Sequence, residues 1–137
     1  MAKEYKRFTI YFFILAVFQF FHSTEEVIFR LEDWMPIVSG KIHNIISLVP
    51  TINFPEQSFI VTNLLIVIFL FVFSVFVFRE FIWALKLAKI ISVVEIINGA
   101  GHITNAIIFL KYFPGCVSGI GLIIFGLLCL KNYRNKI

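Results

Sequence analysis

The chain has 137 residues, of which 60% are hydrophobic and only 15% are charged, with a mean hydropathy of +0.95. A soluble domain carries about a quarter charged residues, so this one cannot cover a water-facing surface, and soluble globular, disordered and collagen-like classes are excluded. The net charge of +4 is scattered in short groups between apolar runs. That pattern excludes a nucleic-acid partner and reads instead as a membrane-topology signal.

Four apolar runs follow one another, at about residues 8–29, 59–78, 87–110 and 114–130. A membrane-crossing helix needs about 20 mostly apolar residues, with a range of roughly 17–25, and all four meet it. The Phe- and Val-rich stretch 71–78 has strand propensity. A lone strand in lipid would leave its backbone unpaired, so it too is read as helix. The predicted fold is all-α, a four-helix integral membrane bundle in a single transmembrane domain. The first run follows Lys3, Lys6 and Arg7 as a signal peptide would, but no small-residue cleavage pattern comes after it, so a retained span is expected.

Between the first two spans lies a long segment, 31–58. Trp34, Met35 and Pro36 suggest a turn at the membrane interface. Ser39 to Val49 sets Ile42, Ile45, Ile46 and Val49 on one face, as in a short interfacial helix. His43 in this helix is expected to be solvated. Pro114 fits the first turn of the last helix. The spacing of Gly115 and Gly119 suits close helix packing, and Gly99 and Gly101 would let another backbone approach. Cys116 and Cys129 lie in apolar surroundings, as packed thiols rather than a disulfide.

Four spans place both chain ends and the 79–86 loop on one side. That side holds Lys3, Lys6, Arg7, Arg79, Lys86, Lys89, Lys131, Arg134 and Lys136, against Arg30, Lys41 and Lys111 on the other. Positive residues concentrate in the cytoplasm. The expected location is therefore the cell membrane, with several spans and both termini cytoplasmic.

Chemistry, if present, lies where the spans are interrupted. His22, Glu25 and Glu26 fall at i, i+3 and i+4, and Glu95, Asn98, His102 and Asn105 fall at i, i+3, i+7 and i+10. Each set makes one helix face. At roughly 1.5 Å per residue, His22 lies about 21 Å into its span and His102 about 13 Å below the outer end of its own. Both stripes occupy the outer half of the bilayer and can face each other.

An acid at a helix centre costs about 2.5–3.5 kcal/mol on insertion scales, so its default reading is functional. Three acids with no Lys or Arg among them until Arg30 call for protonation or a bound cation. Carboxylate oxygens and imidazole nitrogens are ligands for zinc, iron or manganese. His22, Glu25, Glu26 and His102 are thus candidate metal ligands and candidate catalytic groups, with Glu95, Asn98 and Asn105 orienting a substrate. The competing structural reading pairs Arg30 with a neighbouring Glu and makes the asparagines interhelical glue.

His22-Ser23-Thr24-Glu25-Glu26 resembles the HxxEE signature of the HXXEE family of small four-span membrane proteins. Asn98 to His102 resembles that family's NxxxH motif, and Tyr112-Phe113-Pro114-Gly115 its following Pro-Gly turn. The resemblance implies no established activity. It points to His22, Glu25, Glu26, Asn98 and His102 as a shared polar site, with Asn105 and Glu95 beside them. The expectation is an enzyme acting on a lipid or other apolar small molecule, with a divalent transition metal or an acid/base pair. The alternatives are a proton or cation carrier and a structural accessory subunit.

Overall fold

The computed structural model describes residues 5–133. Lys3, Arg134 and Lys136, three of the cations used to place the termini, lie outside the described residues. Five helices follow in order: α1 (Lys6–Ile28), α2 (Leu31–Ile45), α3 (Glu56–Phe78), α4 (Ile82–Phe109) and α5 (Cys116–Asn132). The described residues hold no strand, and the 71–78 stretch is the last part of α3. Each apolar run is a helix, with ends displaced by a few residues. The largest displacement is in α4, which begins at Ile82 and takes Lys86 and Lys89 into its first turns. There the lysine stems remain compatible with a helix whose end is wet.

Left-handed residues set the corners. Arg30 (φ 55°) separates α1 from α2, Glu80 (φ 54°) separates α3 from α4, and Leu110 (φ 51°) ends α4. One residue in this conformation stops the helical ladder and turns the chain. α5 packs along both α4 and α1, and α3 lies against α1. Phe8, Phe12, Leu15, Phe73, Leu85 and Leu122 fill the centre of this assembly at the end away from α2. A smaller cluster of Leu31, Phe59 and Phe113, joined by Trp34 and Met35, lies beneath α2.

Beside this apolar core, burial departs from that of a water-soluble protein. Gln19, His22, Glu26, Ser92, Glu95 and His102 are buried, while Leu64, Leu65, Ile68, Phe69 and Val72 of α3 are exposed. α1 and α3 are long and apolar enough to cross a membrane, and α5 is apolar but only 17 residues long.

Glycines fix the α4–α5 approach. A Cβ added to Gly99 would lie 2.4 Å from the carbonyl oxygen of Gly119. Such a separation is too short for any side chain, so the two backbones come this close because position 99 is glycine. Gly119 opposite leaves only a tight space, 3.1 Å from an added Cβ to the Gly99 carbonyl oxygen. Gly101, expected to serve the same purpose, has nothing within 4 Å of its added Cβ. It faces away, two residues around the helix from Gly99.

The segment after Arg30 departs from the sequence expectation. Trp34, Met35 and Pro36 are not a turn but lie inside α2. Pro36 stands in the second turn, where its missing N–H removes one bond of the ladder, and Trp34 packs edge-on against Phe109 and Phe113. The helix starting there ends at Ile45, four residues before Val49. The chain turns back because Ser39 Oγ accepts the Ile52 N–H at 2.8 Å and His43 Nδ1 meets the Val49 carbonyl at 2.7 Å. His43 is therefore half-buried and bonded rather than solvated. Pro114 precedes the N-cap of α5, Gly115, instead of lying in its first turn. Both cysteines are free thiols, Cys129 buried and Cys116 partly so.

Candidate metal centre

His22, nearly two turns before the end of α1, and His102, two turns before the end of α4, meet with ring centroids 4.6 Å apart and ring planes nearly perpendicular. Glu26 follows His22 by one turn on the same face of α1. Its Oε1 lies 3.2 Å from His22 Nε2 and 3.0 Å from His102 Nε2. All three residues are buried, and their ligand atoms lie within 4.8 Å of one another.

The hydrogen-bond network fixes what each ring presents. His102 Nδ1 lies 2.5 Å from the Pro114 carbonyl. A carbonyl only accepts, so Nδ1 carries the proton. His22 Nδ1 lies 2.9 Å from Ser118 Oγ, and that hydroxyl lies 2.5 Å from Glu25 Oε2. The serine proton goes to the carboxylate, so the serine oxygen accepts from His22 Nδ1. Both rings have thereby committed Nδ1 to the scaffold, and both turn Nε2 toward one Glu26 oxygen. His22 Nε2 is buried and makes no hydrogen bond. With neutral rings, two nitrogen lone pairs and a carboxylate oxygen converge on one buried point. Only a proton or a cation reconciles them.

Gly115 makes this convergence possible. It has φ 86°, and an added Cβ would lie 2.6 Å from His102 Nδ1 and 2.7 Å from His22 Cε1. The Pro-Gly turn thus supplies a backbone acceptor to one ring and empty space to both.

Glu25 goes elsewhere. Neighbouring helix residues point about 100° apart, so when Glu26 faces α4, Glu25 faces the start of α5. Its carboxylate accepts from the Tyr112 hydroxyl, from the Val117 and Ser118 amides at 3.3 and 2.8 Å, and from Ser118 Oγ. The N-cap of α5 is a glycine with no side chain to offer. Glu25 therefore caps that helix from another element, where its charge also opposes the positive end of the helix dipole. Burial, and then the Glu25 carboxylate that it donates to, hold the Tyr112 phenol well above its ordinary pKa.

The remaining sequence candidates lie around this centre rather than in it. Asn98 lines a cavity of about 350 Å³ together with Glu26, His102, Met35 and Phe59. Asn105 donates to the Gly101 carbonyl at 3.0 Å and lines a neighbouring hollow of about 220 Å³ that His102 also borders. Glu95 is buried deeper on α4, with Oε2 unpartnered, and is outside the three-ligand group. Arg30, which the competing structural reading paired with Glu25 or Glu26, instead reaches Asp33 at 2.8 Å, Glu56 at 3.5 Å and Glu32 at 3.6 Å. Its left-handed backbone begins α2 and carries the side chain away from the centre. Sequence reasoning missed Ser118. The signal for it was a hydroxyl three residues after a Pro-Gly turn, within reach of an acid-rich span.

The family description "Protein of unknown function with HXXEE motif" matches residues 13–130. The chain belongs to the HXXEE family. The matched span contains every residue of the centre and of its support, from His22 to Ser118. No curated protein and no solved structure matches the chain. In this HXXEE protein the motif's residues separate into a buried pair facing α4, His22 and Glu26, and a helix cap, Glu25.

Proposed function

We propose that this HXXEE protein is a multi-pass membrane enzyme. A divalent transition metal held by His22, Glu26 and His102 would act on a lipid or other apolar small molecule. The observation that carries this is the fixed pair of tautomers: each Nδ1 is tied to the scaffold while each Nε2 faces the same carboxylate. Ligating histidines are normally oriented in this way, through a hydrogen bond from the other ring nitrogen. Ligands about 2.0–2.1 Å from a single ion lie roughly 3 Å apart, in keeping with the separations from Glu26. Two histidines and one carboxylate leave a coordination position open, as catalytic zinc and non-haem iron sites do. That position would face the cavity of about 350 Å³, where Leu31, Met35, Phe54, Phe59 and Ile66 provide the apolar wall and Gln19, Thr62, Asn63 and Asn98 the polar groups beside the ligands. An apolar lining with a few placed polar groups suits a small apolar ligand.

The membrane reading rests on polar groups buried beneath an exposed apolar surface, on α1 and α3, which are long and apolar enough to cross, and on the apolar α5. α4 is about 42 Å long and α5 about 26 Å at roughly 1.5 Å per residue. In this reading α1, α3, α4 and α5 span the bilayer, both termini are cytoplasmic, and α2 roofs the bundle at the outer face.

The test is elemental analysis of purified protein beside His22→Ala, Glu26→Gln and His102→Ala. The reading expects about one zinc, iron or manganese per chain in the parent, and loss in each variant that still folds, as checked by circular dichroism. A metal-free parent that takes up none of the three on titration ends it. A cation or proton carrier is the second reading, favoured by the unpartnered Glu95 Oε2. It requires ion flux in liposomes that disappears in Glu95→Gln.

A further inference from the structure

The 350 Å³ cavity over the metal centre is the inner end of a longer passage. It shares Leu31, Met35 and His102 with the 220 Å³ hollow beside it. That hollow shares Val38, Ile42 and Asn105 with a third, of about 400 Å³, between α2 and α4. The three therefore follow one another under α2. The middle hollow is lined mainly by aliphatic and aromatic side chains, with Ser39 and Asn105 among them, and the outer hollow opens beside Lys41.

Lys41 is the only charged side chain in the lining of that outer hollow among the described residues. Its Nζ lies 4.1 Å from the centroid of the Phe109 ring, which holds the ammonium over the passage. The described ion pairs give it no carboxylate partner, since the acids on this side of the molecule are taken by Arg30. From Lys41 back to Met35 is about 9 Å along α2 at roughly 1.5 Å per residue. The passage thus has a cationic mouth, an apolar middle and a His/Glu end.

We infer that the ligand of this site is a single-chain anionic amphiphile. Its carboxylate or phosphate rests on Lys41, and its apolar chain runs under α2 to His22, Glu26 and His102. This rests on the reading of the centre as a metal site. It adds that the group presented to the metal lies along the chain, well away from the anionic head. Lys41 is then a specificity-determining residue, because a neutral head of the same size leaves the ammonium without a partner.

The experiment uses the full chain in vesicles of zwitterionic lipid, with Trp83→Phe leaving Trp34 on α2 as the sole tryptophan donor for energy transfer. The probes are cis-parinaric acid and its methyl ester, with dodecyl phosphate as competitor. The acid is expected to bind about tenfold more tightly than the ester, as one charge-assisted contact allows. Lys41→Gln should erase that preference while leaving metal content unchanged. Ile42→Phe, which narrows the middle of the passage, should weaken acid and ester alike. Displacement by dodecyl phosphate would extend the ligand class to phosphates, and its failure would restrict it to carboxylates. Equal binding of acid and ester to the parent, a preference that survives Lys41→Gln, or no binding of either probe overturns the inference. Metal content measured on the same samples decides the reading of the centre separately.

Discussion

The wall of the site and its roof are held by different physics. The wall, where α1, α4 and α5 meet, is over-determined. Gly99 touches Gly119, Gly115 makes room for two rings, and one carboxylate gathers the start of α5. The roof, α2, rests on the bundle through Leu31, Trp34 and Met35 against Phe59, Phe109 and Phe113. Its hinge residue Arg30, half-exposed, pairs with Glu32 and Asp33 of α2 itself and with Glu56 of α3. Touching backbones and a carboxylate held by several donors at once leave little freedom, whereas ion pairs to a half-exposed arginine contribute little and exchange readily with water. A site with one rigid wall and one loosely held wall keeps its ligand atoms fixed while leaving a way in.

Gly115→Ala should break this arrangement most. The left-handed backbone alone costs about 1–3 kcal/mol for a residue with a side chain, and the new methyl would displace both rings. Loss of bound metal and a lower melting temperature are expected together. Parental metal content in the Gly115→Ala protein would show that the wall is softer than described.

Ser118→Ala comes next. It removes the acceptor of His22 Nδ1 and one donor to Glu25, at a cost of about 1–3 kcal/mol. Metal affinity should fall roughly 10–100-fold, as for other groups that orient a ligand. Ser118→Thr keeps the hydroxyl and should restore much of it. That rescue separates a positioning role from loss of packing, and metal competition titration reads it. Glu25→Gln should cost about 0.3–2 kcal/mol through the α5 terminus. Metal should stay bound, in contrast to Glu26→Gln. This is the sharpest test that two adjacent acids of one motif have separate work.

Much of the wall could be read from the sequence. Four helices follow from four apolar runs, and the meeting of His22 with His102 follows from depth and helical period. What the sequence withheld was the partner of each group. The i, i+3, i+4 spacing groups Glu25 with Glu26, but it leaves open which neighbouring helix each one meets. α5 intervenes, and its glycine N-cap draws Glu25 away. The roof was less legible. Pro36 suggested a turn, and the Ile spacing carried a helix on to Val49. The bonds that end α2 at Ile45 join residues 6 and 13 apart, and no periodicity encodes them.

Gly101→Ala sets the control for the glycine contacts. Space is open around this position, so the helix should gain about 0.5–1 kcal/mol from alanine. Gly99→Ala, two residues earlier, should destabilise the α4–α5 contact and shift the melting temperature in the opposite direction. Equal effects at both positions would remove the glycine contact as the reason for the close approach.

The smallest effect belongs to the roof. The Arg30 guanidinium holds the Asp33 carboxyl below its ordinary value of 3.8, and Asp33 in turn raises the guanidinium. A carboxyl with a depressed folded pKa contributes fully above its unfolded value and loses that contribution as pH falls through the folded one. Asp33 should therefore help hold the hinge at neutral pH and stop doing so only below about pH 4. Both partners lie in water, so the loss should be smaller than that of any substitution in the wall. With Trp83→Phe as background, Trp34 fluorescence should show α2 loosening over that acid range, and Asp33→Asn should reduce the change. Since Arg30 also faces Glu32 and Glu56, a residual acid response in Asp33→Asn would assign the rest of the tie to them. An Asp33→Asn substitution that loosens Trp34 at neutral pH while metal stays bound would show that the two walls move independently.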